Sequence, residues 1–229
     1  MRRLLAVFTA VTLSAVLTSC AGAAAPETES TESARPTASP TIEATPTPDA
    51  SEVVAEIVVR ANRIEVVALD GSLLESANLF TERELLVETL AEALGAAPTV
   101  TARPAGQETR AGQIHDWNGL SLFLANGEWD PLVADITRLD VTAASVNGVA
   151  IRTAAGFQVG TPISELDPAT AGDQYSGGPW FRIDPETVGS TADLGPGGDP
   201  TSPLIASVVL YADATAVNRV VAPATNWGV

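Results

Sequence analysis

The sequence predicts an α+β domain in which an antiparallel sheet carries short helices packed on one face. Three observations predict this class. Short runs rich in valine, isoleucine and leucine recur over residues 53–221, and turn pairs such as Asp70-Gly71 and Asn147-Gly148 separate several of them. Residues 82–94 have the apolar spacing of an amphipathic helix. Apolar residues make up 45% of the chain, which is enough to build a core.

The first predicted elements are strands. Residues 53–59 and 64–69 are rich in β-branched side chains, and residues 73–79 continue the pattern. Asp70-Gly71 lies between the second and third runs. Because both residues of such a turn must tolerate positive φ, this pair predicts a tight β-hairpin.

The predicted helix over residues 82–94 starts with a capping box. Thr81 has a suitable side chain for the N-cap, and Glu84 follows three residues later. Gly95 suits the position after the C-cap, and Pro98 prevents the helix from continuing. One helical face is apolar and is expected to pack on the core; it consists of Leu86, Leu90, Ala93 and Leu94.

More strands follow the helix, separated by polar segments. Residues 114–124 alternate between apolar and polar side chains, and Asn126-Gly127 is a turn signal. Asn147-Gly148 predicts a second hairpin. The predicted strands of this region are 99–103, 114–124, 136–141, 149–153, 180–183, 204–211 and 217–221, with loops at 104–112 and 190–203.

The order of hairpin, capped helix and strands occurs twice. It covers about residues 58–142 and then about 149–222, where Thr161 suits an N-cap and Pro162 the first helical position. The folded part would then consist of two similar halves, 52–145 and 146–229.

These helix-then-sheet units, and the segment 157–166 (FQVGTPISEL) in particular, resemble the tandem modules of β-lactamase-inhibitory-protein-like extracytoplasmic domains. In that family, short helices pack on one face of a sheet and the other face binds a partner protein. The resemblance implies an interaction module rather than an enzyme.

The N-terminal segment predicts export. Arg2 and Arg3 give a positive start, and Leu4–Leu17 is an apolar run of 14 residues. As a helix, this run would be about 21 Å long, which is short of the roughly 30 Å hydrocarbon core of a bilayer. We therefore interpret it as the apolar region of a signal peptide rather than a permanent spanning helix.

The segment Leu17-Thr18-Ser19-Cys20 resembles the lipobox of bacterial lipoproteins, in which a leucine and two small residues precede a cysteine. The resemblance implies cleavage between Ser19 and Cys20, so that residues 1–19 are the signal peptide. It also implies a diacylglyceryl group on the Cys20 thiol, and two acyl chains anchor a protein stably. The alternative is an ordinary secretory signal, cut at an Ala-x-Ala site among Ala21, Ala23 and Ala25.

Residues 20–51 are predicted to be a tether. They are mainly Thr, Ser, Pro, Ala and Glu, and Ile42 is their one large apolar residue. Such a composition cannot bury enough apolar surface to offset the entropy of ordering, so we expect disorder. The tether would hold residues 52–229 away from the bilayer. Its Ser/Thr-Pro content fits either O-glycosylation or an unmodified linker.

The chain is strongly acidic. Its formal net charge is −16, from 28 acidic and 12 basic residues, and all the basic residues are arginine. This charge repels nucleic acid and anionic lipid headgroups, so a nucleic-acid partner is excluded. The single cysteine cannot form an internal disulfide, so the fold must form without one.

The titratable residues do not form a recognisable catalytic or metal motif. His115 is the only histidine, and Asp116 beside it would point to the opposite face of a strand. We expect His115 at the surface or at a strand end, without a catalytic role. Asp193 and Asp199 could bind calcium, but turn formation is the simpler interpretation of both. We expect no metal and no cofactor.

The four tryptophans divide into two pairs. Trp117 and Trp180 lie within predicted strands, so core packing is expected for both. Trp129 and Trp227 lie next to turn residues, so they are the candidates for an exposed interaction surface.

The sequence as a whole predicts an envelope protein that is lipid-anchored through Cys20 on the outer face of the cytoplasmic membrane. We expect it to act as a non-enzymatic binding module with another envelope protein as its partner. Two alternatives stay open: a cell-wall-directed hydrolase that uses paired carboxylates, and a small-ligand-binding lipoprotein. A flat aromatic face would favour protein binding. Two close carboxylates in a deep pocket would favour the hydrolase, and a closed apolar cavity would favour ligand capture. The sequence does not set the oligomeric state.

Overall fold

The structure is a computed structural model that describes residues 49–106, 110–127, 137–172, 178–190 and 198–225. These residues form twelve β-strands and one α-helix, and two single turns of 3₁₀ helix lie at 163–165 and 168–170. The elements in chain order are β1 Val54–Val59, β2 Arg63–Ala68, β3 Leu73–Asn78, α1 Arg83–Ala93, β4 Thr99–Arg103, β5 Gly112–Asp116, β6 Leu120–Ala125, β7 Thr137–Val141, β8 Ser145–Val146, β9 Val149–Thr153, β10 Trp180–Ser190, β11 Pro203–Ala212 and β12 Val217–Thr225.

The strands form two sheets, which confirms the α+β class with a mainly antiparallel architecture. The five-stranded sheet has the order β3-β2-β1-β9-β8, and its β1–β9 pair is parallel. The seven-stranded sheet has the order β10-β11-β12-β7-β6-β5-β4 and is antiparallel throughout. Both sheets contain strands from each of the two predicted halves.

One cluster of buried side chains joins the two sheets and the helix. Fully burying a side chain of this size stabilises the fold by about 1.5–3 kcal/mol relative to leaving it exposed. The helix α1 contacts β3 and β2 of the five-stranded sheet. The largest fully buried members include Ile57 and Ile64 from the five-stranded sheet, Leu122 and Leu210 from the seven-stranded sheet, and Leu86 and Leu90 from the helix.

The start of α1 differs from the prediction, although its buried face is as expected. Glu82 occupies the N-cap position, and its side chain makes no capping hydrogen bond, so the Thr81–Glu84 capping box is wrong. Asn78 explains the difference. Its Oδ1 accepts from the backbone N–H groups of Phe80 and Thr81, and its own backbone N–H donates to Glu82 Oε2 at 2.6 Å.

The end of α1 has the predicted glycine cap. Gly95 has a φ of 62° and donates its N–H to the Glu92 carbonyl, while Ala96 donates to the Ala91 carbonyl. These two bonds form a Schellman motif, which satisfies carbonyls that the helix leaves without a partner.

The second predicted helix is wrong. Residues 163–165 form one 3₁₀ turn, and Thr161 Oγ1 accepts from the backbone N–H of Gln158 instead of capping a helix. The backbone groups here instead pair with a distant segment of the same chain, residues 215–217. Val217 donates to the Thr161 carbonyl, and Ile163 donates to the Thr215 carbonyl.

The turns explain other differences from the predicted strands. The predicted strand 114–124 is a hairpin of β5 and β6, because Asn118 and Gly119 both have positive φ. The Asn147-Gly148 hairpin is confirmed, with φ values of 51° and 86°. At Asp70-Gly71 the hairpin is also confirmed, but Gly71 alone has positive φ, and Asp70 Oδ1 accepts from Ser72. Strand β10 continues to residue 190, well past the predicted end at 183.

The free edge of β4 can be located from the hydrogen bonds of its neighbour. Trp117 donates to the Leu120 carbonyl across the β5–β6 hairpin, so the odd-numbered residues of β5 bond to β6. The even-numbered residues therefore bond to β4, where alternation turns the N–H and C=O groups of Val100 and Ala102 outward.

Two prolines bound this free edge. Pro98 and Pro104 flank β4 at positions whose N–H groups would also point outward. Proline has no N–H to donate, so the edge offers few donors to another strand. This arrangement protects the sheet against pairing with a further chain.

Candidate functional site

Several predicted site residues lie outside the described residues. These are Ser19 and Cys20 of the lipobox, Trp129 and Trp227 of the predicted interaction surface, and Asp193 of the glycine-rich loop. The predictions made for them stay predictions. Among the described residues, no helix is long and apolar enough to cross a bilayer.

His115 is buried in the seven-stranded sheet, which corrects its expected surface position. It is 8% exposed and lies on β5 between Val100 and Leu122. Its Nδ1 has no hydrogen-bond partner among the described residues. Burial lowers the pKa of His115 below its usual value of 6.5, since the charged imidazole is poorly solvated there. Asp116 next to it is exposed, and its Oδ1 accepts from the Asn118 N–H.

The two described tryptophans have different environments. Trp117 belongs to the core and donates its indole N–H to the Ala96 carbonyl at 2.9 Å, as expected for a core residue. Trp180 is half-buried and lies outside the core cluster, so the expectation of core packing is wrong for this residue.

The carboxylates of the described part are spread among turns and ion pairs. No group of three histidine, cysteine, aspartate or glutamate side chains there could hold a metal ion. Asp199 Oδ1 accepts from the Thr201 N–H and hydroxyl, and these bonds lower the pKa of Asp199. Asp70 and Asp213 make equivalent bonds in their own turns, with the same effect on the pKa.

Two open hollows lie beside the first turn of α1. Their volumes are about 330 and 540 Å³, and Arg83 and Glu84 line both. Arg83 donates to the carbonyls of Ala125 and Gly127, which ties the start of the helix to the end of β6. Since both terminal nitrogens of its guanidinium are used in this way, we assign Arg83 a structural role.

The outer face of the seven-stranded sheet carries a group of arginine and aromatic side chains. Phe181, Leu210 and Leu139 point into the core, so the residues that alternate with them point outward. We define the arginine–aromatic face as the outward residues Trp180, Arg182, Tyr211, Arg219, Asp140 and Arg138, which lie on β10, β11, β12 and β7.

Trp180 and Arg182 form one end of this face. The guanidinium of Arg182 lies over the Trp180 ring, 5.7 Å from the ring centroid. Such cation–π contacts contribute about 0.5–1 kcal/mol at exposed sites. On the side of β10 away from β11, Gly172 donates its N–H to the Trp180 carbonyl. A Cβ at Gly172 would overlap the indole ring. The ring is therefore held in place, and it orients Arg182.

Asp140 lies at the other end of the face, between two arginines. Arg138 Nε is 2.8 Å from Asp140 Oδ2, and Arg219 contacts Asp140 Oδ1. The Arg219 guanidinium also lies 5.4 Å from the centroid of the Tyr211 ring. The Asp140 side chain is only 18% exposed, so a carboxylate is held here by two guanidinium groups in a largely desolvated position.

Arg182 differs from the other arginines of the face. No described carboxylate forms an ion pair with Arg182, whereas Arg138 and Arg219 both contact Asp140. The register places Val209 and Val221, both buried, in a row between Arg182 and Asp140. The face thus has an apolar floor. Arg182, which has no described carboxylate partner, lies on one side of this floor, and Asp140, paired with Arg138 and Arg219, lies on the other.

The same side of the sheet continues toward β4 with another stacked arginine. The guanidinium of Arg103 lies 4.4 Å from the centroid of the Phe123 ring. Gly112 lies between them in the sheet, and a Cβ there would approach Phe123 Cε2 to 2.6 Å. Four of the nine arginines in the described part therefore lie on one side of one sheet.

The outer face of the five-stranded sheet has a different charge arrangement. Arg152 binds Glu56 through two hydrogen bonds of 2.5 and 2.6 Å. Arg60 and Arg63 lie 2.7 and 2.8 Å from Glu65 Oε1. Arg152 therefore joins β9 to β1, whereas Arg63 and Glu65 lie on the same strand. Arg63 also lies 3.4 Å from Glu186 of β10, so it links this sheet to the other one.

Part of the arginine–aromatic face had a visible sequence signal. Trp180 and Arg182, like Arg138 and Asp140, are spaced two apart, which places each pair on one side of a strand. The contact between Arg219 and Asp140 spans 79 residues and depends on the β7–β12 register. No pattern in the sequence indicates that register. Comparison with family models, curated proteins and solved structures found no match to the chain.

Proposed function

We propose that this chain is a non-enzymatic binding module, lipid-anchored outside the cytoplasmic membrane, whose arginine–aromatic face contacts a partner protein. The observation that carries the proposal is the concentration of Arg182, Arg219, Trp180 and Tyr211 on one face of a chain with a net charge of −16. Arginine, tryptophan and tyrosine are the residue types most enriched in the energetically dominant parts of protein interfaces.

The size of the face supports a protein as the partner. The arginine–aromatic face spans four strands, which is about 14 Å at a spacing of about 4.8 Å, and it lies on a seven-stranded sheet about 29 Å across. A stable protein interface buries about 800 Å² on each partner, which a surface of this width can supply. The half-buried aromatic rings also offer rigid contact area at low entropic cost.

The proposed location is supported by the N-terminal sequence. The positive start, the 14-residue apolar run and the four lipobox positions ending at Cys20 agree with one another. The thioether-linked lipid would anchor the chain, and residues 20–51 would carry the folded part away from the bilayer. Replacing Cys20 by alanine should then move the protein from the membrane fraction to the soluble fraction. A Cys20→Ala chain that stays in the membrane fraction would exclude this anchor.

The binding surface can be tested by photo-crosslinking in the envelope of the source cell. A photoreactive phenylalanine analogue is introduced into the full chain at Tyr211, on the arginine–aromatic face. The matched control carries it at Val67, on the outer face of the five-stranded sheet. We expect a discrete crosslinked protein from position 211 and none from position 67. The same product from both positions, or a product from position 67 alone, contradicts the proposal.

A further inference from the structure

We propose that the partner presents an acidic protein segment, and that one of its carboxylates pairs with Arg182 on the arginine–aromatic face. This inference rests on the proposed function, because it names the chemistry of the partner at that same surface.

The face itself shows how it holds a carboxylate. Asp140 is bound by Arg138 on its own strand and by Arg219 on the neighbouring strand, and its side chain is largely buried. Two planar guanidinium groups converging on one carboxylate are a strong charge-assisted arrangement. The outward side of this sheet is therefore already shaped for a carboxylate.

Arg182 is the position where such a group is missing. No described carboxylate forms an ion pair with its guanidinium, which lies over the Trp180 ring. Three strand spacings separate Arg182 from Asp140, which corresponds to about 14 Å. Between them, Val209 and Val221 form the apolar floor. A partner segment that lies along this floor can place a carboxylate on Arg182.

The net charge favours an acidic protein segment over a long polyanion. At −16, the chain repels nucleic acid and anionic membranes over its whole surface. A protein with a local acidic patch meets only the arginine–aromatic face, so the favourable contact is not offset by repulsion along an extended polymer. The carboxylate also matches the guanidinium group in a bidentate geometry, as at Glu56 and Arg152.

The test uses the full chain, purified in detergent with its own N-terminal segment, and an acetylated hexaglutamate peptide as probe. Hexaglutamine serves as the uncharged control peptide. At about 0.1 M salt we expect hexaglutamate to bind, and at about 1 M salt, where the Debye length falls to about 3 Å, we expect binding to be lost. Arg182→Gln should weaken binding about fivefold, whereas Arg182→Lys should recover part of the loss. Arg152→Gln, on the outer face of the other sheet, should leave binding unchanged.

The outcomes separate this inference from the proposed function. If position 211 crosslinks a protein but hexaglutamate binding does not depend on Arg182, the acidic partner is wrong and the binding surface stands. If position 211 gives no crosslinked protein and hexaglutamate binding does not depend on Arg182, both the proposed function and the acidic partner are wrong. The inference would also be overturned if polyphosphate or phosphatidylglycerol vesicles bound more tightly than hexaglutamate and did so through Arg182. The ligand would then be a phosphate-bearing polymer or a membrane instead of a protein segment.

Discussion

Arg152 and Arg182 provide a matched pair that separates an arginine used for folding from one used for binding. Both lie on outward strand faces, and the substitution to glutamine removes the charge from each while it keeps most of the stem. Arg152 makes two short hydrogen bonds to Glu56, and these join β9 to β1. Arg182 has no ion pair with a described carboxylate and rests on Trp180.

The expected magnitudes follow from these contacts. The Arg152–Glu56 pair is bidentate but partly exposed, so its loss should lower the free energy of unfolding by about 1 kcal/mol. In Arg182→Gln, the lost stacking costs about 0.5–1 kcal/mol, and removing a buried donor without an acceptor offsets about the same amount. The net change for Arg182→Gln should stay within about 0.5 kcal/mol of zero.

Urea denaturation followed by tryptophan fluorescence measures both variants. With a slope of about 2 kcal/mol/M, the midpoint of Arg152→Gln should fall by about 0.5 M, and that of Arg182→Gln should not move measurably. A loss in Arg182→Gln as large as that in Arg152→Gln would refute the distinction between the two faces.

The pH dependence gives a second check on the same pair. The hydrogen bonds from Arg152 lower the pKa of Glu56 below 4.5, and they outweigh the opposing effect of burial. A carboxyl whose pKa is lowered in the folded state contributes stability above its unfolded value, and this contribution is lost as pH falls through the folded value. The difference between the wild-type chain and Arg152→Gln should therefore shrink as pH falls below 4.5 and through the folded pKa of Glu56. A difference that is constant over this range would show that the ion pair is not its source.

Three further predictions concern the fold. Burial lowers the pKa of His115, so the unfolded chain binds a proton more readily than the folded chain. The free energy of unfolding should therefore fall by up to about 1.4 kcal/mol per pH unit below pH 6.5. Urea titrations should find this slope reduced in His115→Leu, and an unchanged slope would contradict the prediction. Gly95→Ala should lower the free energy of unfolding by about 1 kcal/mol in the same assay, because φ at this residue is 62°. Gly95→Asn should lower it by less, since asparagine tolerates positive φ better than alanine. Equal losses in the two variants would argue against the helix cap. Replacing both Pro98 and Pro104 by threonine restores two outward N–H donors on the β4 edge, so light scattering should detect concentration-dependent association that the wild-type chain lacks; a variant that stays as dispersed as the wild type would show that these prolines do not protect the edge.

The elements that the sequence predicted well are those with local determinants. Residues 83–93 form a helix because their apolar side chains share one face and because Gly95 can adopt positive φ. The Asn147-Gly148 hairpin likewise depends on two adjacent residues. Such features need no knowledge of distant parts of the chain.

The errors arise where distant segments compete with local preference. Thr161 and Pro162 favour a helix start, but pairing with residues 215–217 uses their backbone groups instead. Trp180 reads as a core residue within a strand, yet the register of β10 with β11 turns it outward. The candidate surface was missed for the same reason, because it exists only once β10, β11, β12 and β7 lie side by side.

The most direct test of the central claim is to record the arginine Nε–Hε signals by NMR while hexaglutamate is added to the full chain. These signals report each guanidinium separately, so they distinguish the two outer faces in one experiment. Our account predicts that the signal of Arg182 shifts with added peptide, while that of Arg152 stays in place. A shift at Arg152 without a shift at Arg182 would contradict the assignment of the arginine–aromatic face as the binding surface.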